Sequence, residues 1–190
     1  MVFSSPVFLF IFLPFVLFVH TILKPSYRNI FLLISSLFFY AWGELYYVSI
    51  MMASIVISYF GGTIIDKYLQ REKLDLAKWI LFLFISIDII ALIYFKYSYF
   101  LVENLNLERL FSIDNFKSIH LPLGISFFTF HTISYVIDVY HKKVMAQKNF
   151  INHALYVTLF PQLVAGPIVR YRDISKQIYQ RIISSQKFYS

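Results

Sequence analysis

The sequence predicts an all-α, polytopic bundle of transmembrane helices, and three observations lead to that prediction. Of 190 residues, 59% are hydrophobic and 14% are charged, and the mean hydropathy is +0.67. Soluble domains hold roughly 45–50% apolar and about 25% charged residues. The apolar residues form long runs that reach the roughly 17–25 residues a helix needs to cross a hydrocarbon core. Tyrosine and tryptophan collect near the ends of these runs, as in an interfacial aromatic belt.

About five of the apolar runs are predicted to be full membrane spans. The first run has no basic residue before it and is longer than the hydrophobic part of a signal peptide, so we interpret it as a retained span. The soluble stretches between runs are too short for a separate domain, so residues 1–190 are expected to form one membrane domain. The five runs cover residues 6–23, 30–41, 46–65, 79–95 and 121–139.

A sixth apolar segment, 151–169, is predicted to have a broken backbone. Pro161 and Pro167 interrupt it. Basic residues on both flanks favour the cytoplasm for both ends, so that the segment dips into the membrane and returns; a kinked sixth helix is the alternative. Residues 170–190 follow as an amphipathic cytoplasmic tail, because apolar residues recur there at helical spacing between charges.

The lysines and arginines predict that the N-terminus lies outside the cytoplasm. Loops 24–29, 66–78 and 140–150 together hold nine basic residues, whereas the segments on the opposite side hold Arg109 and Lys117. The positive-inside rule places the three basic loops in the cytoplasm. The net charge of +7 is explained in the same way, by topology and contact with anionic headgroups, and not by nucleic-acid binding.

Polar residues within the predicted spans are candidates for function, because a bilayer makes them costly. Asp88 lies in the middle of the fourth run, where a structural hydrogen bond or a pairing with a basic group is the simpler explanation. A second group shares one helix face, since its members fall at i, i+3, i+4 and i+7, and it should face the bundle interior or a cavity. This polar face consists of His131, Ser134, Tyr135 and Asp138.

Two members of the polar face have both a functional and a structural interpretation. His131 is a candidate general base or substrate contact; a buried histidine bonded to a nearby carbonyl or carboxylate is the alternative. Asp138 lies beside Lys142 and Lys143, and a surface ion pair explains it equally well. A small transporter or channel component, using Asp88 and the polar face as an ion pathway, is therefore an alternative function.

No generic catalytic or metal-binding motif accompanies these residues. Cysteine is absent, which excludes a disulfide framework and a thiolate nucleophile. No two of the five histidines have the spacing of a helical metal site, so neither a metal nor a bound cofactor is expected. Four histidines lie at or near the ends of segments, where they are unremarkable: His20, His120, His141 and His153.

Two pairs of motifs resemble a known family. The first pair is M-V-F-S-S-P-V-F-L-F at 1–10 with L-F-F-Y-A-W-G-E at 37–44. The second is L-P-L-G-I-S-F-F-T-F-H-T-I-S-Y-V-I-D-V-Y at 121–140 with F-P-Q-L-V-A-G-P-I-V-R-Y-R-D at 160–173. In order and spacing they resemble the N-terminal portion of the membrane-bound O-acyltransferase family, in the branch typified by the alginate O-acetylation membrane protein. The bundle is thus expected to be partial relative to the family fold.

The resemblance implies an enzyme of a bacterial inner membrane. It implies that a thioester such as acetyl-CoA, used from the cytoplasmic side, donates an acyl group to hydroxyls of an exported polysaccharide such as alginate. Partner proteins outside the membrane are expected. In the family the base is a histidine in a C-terminal Trp-His-Gly type motif, but neither Trp42 nor Trp79 precedes a histidine. The catalytic residue is therefore expected beyond Ser190, in a missing C-terminal half, and a non-catalytic truncated remnant remains an alternative.

The resemblance also implies roles for two groups of residues. The polar face is expected to line the tunnel at membrane depth or to hold its walls. A second group is expected near the cytoplasmic mouth, where it would meet an anionic donor such as a CoA phosphate. For its arginines, headgroup contact and topology anchoring are the alternative. This group consists of Gln162, Arg170 and Arg172.

Overall fold

The structure is a computed structural model, and it describes residues 5–104, 121–163 and 169–179. Within these ranges all regular structure is helical. The N-terminal helix begins as a π-helical turn, Phe8–Phe12, and continues as α1, Leu13–Ile22. The other helices are α2 (Pro25–Glu44), α3 (Val48–Gln70), α4 (Leu74–Asn104), α5 (Ile125–Tyr140), α6 (Phe150–Thr158), α7 (Phe160–Leu163) and α8 (Tyr171–Tyr179).

Two stretches are long and apolar enough to cross a membrane, Pro25–Gln70 and Leu74–Asn104, with mean hydropathies of 1.9 and 2.3. The first stretch contains both α2 and α3. Between these helices the backbone leaves the helical conformation at Glu44 (φ −143°, ψ 55°) and passes through a 3-10 turn, Leu45–Tyr47. The N-terminal apolar helix and α5 are shorter, and α5 has 16 residues. The all-helical, apolar prediction is confirmed, whereas the predicted number of spans, about five with a re-entrant or kinked sixth segment, is not.

α3 is the centre of the bundle and packs against α4, α5 and α6. Gly61 and Gly62 make this packing possible because they face different neighbours. A Cβ on Gly61 would lie 2.8 Å from the ring of Phe84 in α4, and a Cβ on Gly62 would lie 2.5 Å from the ring of Tyr135 in α5. The two adjacent glycines therefore set how closely α3 approaches two helices at once.

The N-terminal helix is held by a separate aromatic cluster. Phe8 and Phe12 lie against Phe39 of α2, with ring centroids 5.2 and 5.7 Å away. Phe160 of α7 closes the cluster, at 6.0 Å from Phe8 and 5.6 Å from Phe12 in edge-to-face geometry. Aromatic pairs at these distances each contribute about 0.5–1.5 kcal/mol beyond their buried area. The N-terminal helix is thus packed against α7, the short helix that follows the break in segment 151–169.

The predicted break in segment 151–169 is present. α6 ends at Thr158, Leu159 leaves the helix (φ −53°, ψ 113°), and α7 begins one residue before Pro161. At the start of a helix the missing N–H of proline removes no helical hydrogen bond. Seven of the nine α6 residues are buried, and Leu159 at the break is half-buried. The second predicted interruption, at Pro167, lies outside the described residues, as do Arg109, Lys117 and His120.

The two flanks of the broken segment lie at the same end of the bundle. Asn29, near the start of α2, donates from Nδ2 to Asn152 Oδ1 of α6 (2.9 Å) and to the carbonyl of Ile178 in α8 (3.0 Å). α7 instead reaches the other end of α5, where the carbonyl oxygen of Leu163 lies 2.8 Å from the position of a Cβ on Gly124. The described part of the segment therefore leads from the end where its flanks meet toward the Gly124 end of α5.

α8 is amphipathic and docks on the bundle. Tyr171 and Ile178 are buried, whereas the charged residues between them are exposed. Besides the bond from Asn29, the helix contacts α5 and α6. Residues 180–190 of the predicted amphipathic tail lie outside the described residues.

Candidate functional site

The polar face of α5 is buried beneath α6. His131 and Tyr135 are 0% exposed and Asp138 is 3% exposed, while Ser134 is half-buried. The residue that covers this face is Tyr156 of α6. Its hydroxyl oxygen lies 3.2 Å from Ser134 Oγ, 3.4 Å from the carbonyl oxygen of His131 and 3.3 Å from that of Val169. Tyr156 of α6 thus contacts both α5 and Val169, which lies in the segment that leads into α8.

The imidazole of His131 has unused hydrogen-bonding capacity. Neither ring nitrogen has a hydrogen-bond partner among the described residues, and the ring packs against Tyr156 with centroids 5.3 Å apart. A neutral imidazole carries one donor and one acceptor, and leaving a buried polar group unpaired costs about 1–3 kcal/mol. The described residues do not include the carbonyl or carboxylate expected for a purely structural histidine. The arrangement leaves His131 able both to donate to and to accept from a polar ligand.

Asp138 lies at the end of the polar face that is nearest the loop after α5. Among the described residues, only one of its two carboxylate oxygens has a partner. Its Oδ1 lies 4.0 Å from Lys143 Nζ, and its Oδ2 has no partner within the described part of the chain. The lysine side chain is 45% exposed and the aspartate 4%. The ion pair expected from the sequence is present, but a long pair with one exposed partner contributes little, about 0–1 kcal/mol. Asp138 therefore retains a buried acceptor oxygen.

Tyr135 belongs to a different network, whose hub is Gln147. The backbone N–H of Gln147 donates to the Tyr135 hydroxyl (2.9 Å), and its Nε2 donates to Tyr171 (2.7 Å). Its Oε1 accepts from the backbone N–H of Asn149 (3.0 Å) and from the hydroxyl of Tyr179. Burial raises the pKa of the Tyr171 hydroxyl above its usual value, so this group stays protonated. One buried glutamine thus fastens both ends of α8 to α5 and to the start of α6.

A second buried histidine, His153, joins α6 to α3. Its Nε2 lies 2.8 Å from Ser58 Oγ, and Ser58 Oγ donates to the carbonyl of Ile55 (3.0 Å). Because the hydroxyl has one hydrogen, both contacts are satisfied when Nε2–H donates to Ser58 Oγ. His153 is 0% exposed, although its place near a segment end made it unremarkable in the sequence. The burial arises because α6 is surrounded by protein.

Asp88 makes a structural hydrogen bond, the simpler of its two predicted explanations. It is 4% exposed, and its Oδ2 lies 2.7 Å from Thr132 Oγ1 of α5. Thr132 Oγ1 also lies 2.8 Å from the carbonyl oxygen of Thr129, so two acceptors share its single hydrogen. Since Thr132 follows His131, this bond ties α4 to the helix that carries the polar face.

The three residues predicted at the cytoplasmic mouth are not brought together. Arg170 and Arg172 are exposed beside α8, and Arg172 Nε lies 3.3 Å from the carboxylate of the adjacent Asp173. Gln162 lies in α7, half-buried, and its Oε1 is buried with no partner among the described residues. The break at Leu159 carries α7 toward the Gly124 end of α5, which separates Gln162 from the two arginines.

The described residues contain no group of three or more histidine, aspartate or glutamate side chains that could hold a metal ion. The arrangement at the polar face offers other chemistry. It combines a buried imidazole and a buried carboxylate oxygen, both with unused capacity, beside a tyrosine hydroxyl. Each of these groups can form a hydrogen bond with a polar ligand that reaches it.

Comparison with known proteins finds relatives along the whole chain. The chain is 40% identical over 191 residues to the probable alginate O-acetylase AlgI of Azotobacter vinelandii, covering 99% of this chain and 38% of that protein. The protein of the same name from Pseudomonas aeruginosa is also 40% identical, with coverages of 99% and 36%. The peptidoglycan O-acetyltransferase of Helicobacter pylori is 31% identical over 208 residues, with coverages of 93% and 38%. No family model and no solved structure matches the chain.

These relatives confirm the resemblance inferred from the motifs, to the alginate O-acetylation branch of the membrane-bound O-acyltransferases. The chain spans well under half of the length of the relatives it matches. Together with the long apolar helices, the similarity supports a membrane protein.

Proposed function

We propose that the chain forms part of a membrane O-acyltransferase that transfers an acetyl group to hydroxyls of an exported cell-envelope polysaccharide. The observation that carries the proposal is 40% identity over 99% of the chain to a probable alginate O-acetylase. A second relative, at 31% identity, is named a peptidoglycan O-acetyltransferase. The two names share the acetyl group and differ in the acceptor, so a polysaccharide hydroxyl is better supported than either alginate or peptidoglycan alone.

In the proposed reaction a thioester such as acetyl-CoA donates from the cytoplasmic side. The acyl carbon leaves the thioester sulfur for the hydroxyl oxygen, a base takes the hydroxyl proton, and the thiol departs. A water-excluded tunnel protects the thioester, and a neutral imidazole is a suitable base near neutral pH. None of the five histidines here is assigned as that base. We propose that the base belongs to sequence outside these 190 residues.

The polar face of α5 is proposed to contact the substrates at membrane depth. Two features support this: His131 is fully buried, and both of its nitrogens lack partners among the described residues. Arg170 and Arg172 are proposed to meet phosphate groups of the donor, which agrees with their exposure near α8. For Gln162 we propose a role away from that mouth, because α7 lies toward the Gly124 end of α5.

The proposed setting is a bacterial inner membrane, crossed several times, with the N-terminus outside. We propose that segment 151–169 is re-entrant, since Asn29 bonds both Asn152, before the break, and Ile178, after it. Partner proteins that act on the exported polysaccharide are proposed on the outer side.

The test is deletion of the gene followed by rescue with its full-length form, with alkali-labile acetate on envelope polysaccharide as the measurement. The proposal predicts that deletion removes ester-linked acetate and that rescue restores it. Polysaccharide with unchanged acetate after deletion contradicts the proposed function. In the rescue, His131→Ala tests the polar face, and His131→Gln is its matched control because an amide keeps both a donor and an acceptor.

A further inference from the structure

We propose that a cleft beside α1 binds one membrane phospholipid, with an acyl chain inside the cleft and the phosphate headgroup at its cytoplasmic rim. The cleft has a volume of about 320 Å³ and is walled by α1, α2, α6, α7 and α8. Its apolar lining includes Leu13, Val16, Leu32, Leu155, Phe160 and Ile178.

The cleft continues an exposed apolar surface of α1. Leu17 lines it, yet 56% of the Leu17 side chain is exposed, as is 66% of the neighbouring Phe18. Apolar residues exposed on a membrane helix contact acyl chains, and an apolar cavity does not hold water well. A lipid chain can therefore pass from the bilayer into the cleft along α1 without crossing a polar barrier.

The rim of the cleft suits a phosphate headgroup. His20, in the last turn of α1, and Gln177 of α8 line the same cleft as the apolar residues. Lys24 and Arg28 follow at the turn into α2, where Arg28 Nε donates to the carbonyl of Leu23 (2.9 Å). This is the end that the basic loops predict to be cytoplasmic, so His20 and Gln177 at the rim lie at headgroup level, next to the basic turn that holds Lys24 and Arg28.

A second cleft on the other side of α1 lacks such a rim. It has a volume of about 440 Å³ and shares Val16 with the first. Its lining residues are aliphatic or aromatic apart from Ser35, and they include the 60% exposed Ile34. Lipid chains in this cleft are expected to exchange freely. It therefore provides a matched control on the same helix.

The test reconstitutes the protein in vesicles of phosphatidylethanolamine and phosphatidylglycerol, extracts it in mild detergent, and counts retained phospholipid by native mass spectrometry. Leu17→Trp fills the first cleft, and Ile34→Trp makes the same change in the second. The wild type and Ile34→Trp are expected to retain one phospholipid per chain, and Leu17→Trp to retain about tenfold less. Equal retention by the two tryptophan variants, or none by the wild type, overturns the proposal.

Two further variants separate lipid loss from misfolding and from a purely apolar site. Leu17→Ala leaves the cleft open and is expected to retain the lipid, so loss of lipid in this variant as well counts against the proposal. Gln177→Ala leaves the apolar lining unchanged and is expected to lower retention. Unchanged retention in Gln177→Ala overturns the headgroup assignment. Acetate transfer to polysaccharide, measured separately, decides the proposed function independently of these results.

Discussion

Gly124→Ala should destabilise the protein, because at this glycine the motif at 121–140 packs against the motif at 160–173. Gly124 precedes α5 with φ 75°, and a Cβ there would lie 2.8 Å from the carbonyl oxygen of Leu163. A left-handed conformation costs an L-residue about 1–2 kcal/mol. The close contact with a backbone oxygen forces α7 to shift, which adds about 1–3 kcal/mol. The expected loss of unfolding free energy is therefore on the order of 2–5 kcal/mol.

Thermal unfolding in mild detergent, followed by circular dichroism, measures this loss. The midpoint should fall by on the order of 10 °C for a chain of this size. Gly124→Asn separates the two causes, since asparagine tolerates the left-handed region but still carries a Cβ. Leu123→Ala, at a 45% exposed neighbour, is the matched control and should stay within about 0.5 kcal/mol of the wild type. A Gly124→Ala protein as stable as that control refutes the packing of the two motifs against each other.

Three further predictions follow from single contacts. Asp88→Leu should lose about 1–3 kcal/mol of unfolding free energy by removing the bond to Thr132, while Asp88→Asn keeps it and should stay close to the wild type; equal losses would contradict the assignment. Gln147→Ala should free α8, seen as faster amide hydrogen exchange throughout that helix, and unchanged protection would show that the hub is dispensable. Because the chain has no cysteine, Lys148→Cys and Arg172→Cys can be labelled singly, and both should react from the cytoplasmic side; labelling from opposite sides would exclude re-entrance.

The helices and the burial of the polar face could be predicted from the sequence. Long apolar runs indicated α2, α3 and α4, although all three helices continue past their runs. The i, i+3, i+4, i+7 spacing predicted that His131, Tyr135 and Asp138 share a buried side. The prolines predicted the break before α7. These features are local, so a single sequence carries their signal.

The contacts that organise the site could not be predicted, because they join distant residues without a periodic signal. Gln147 lies in an irregular loop, and nothing in its neighbours indicates that it bonds both ends of α8. Ser58 and His153 are 95 positions apart. The separation of Gln162 from Arg170 depends on the direction α7 takes after Leu159, which the order of residues does not reveal.

Acyl transfer from a cytoplasmic thioester to an exported polysaccharide is tested most directly with inverted membrane vesicles from cells that express the full-length gene. Radiolabelled acetyl-CoA is supplied to the exposed cytoplasmic face, and label is counted in alkali-labile esters of the polysaccharide inside the vesicles. Gene-dependent label in those esters is the predicted result. Vesicles that incorporate no more label than those from the deletion strain would contradict the proposed acyltransferase function.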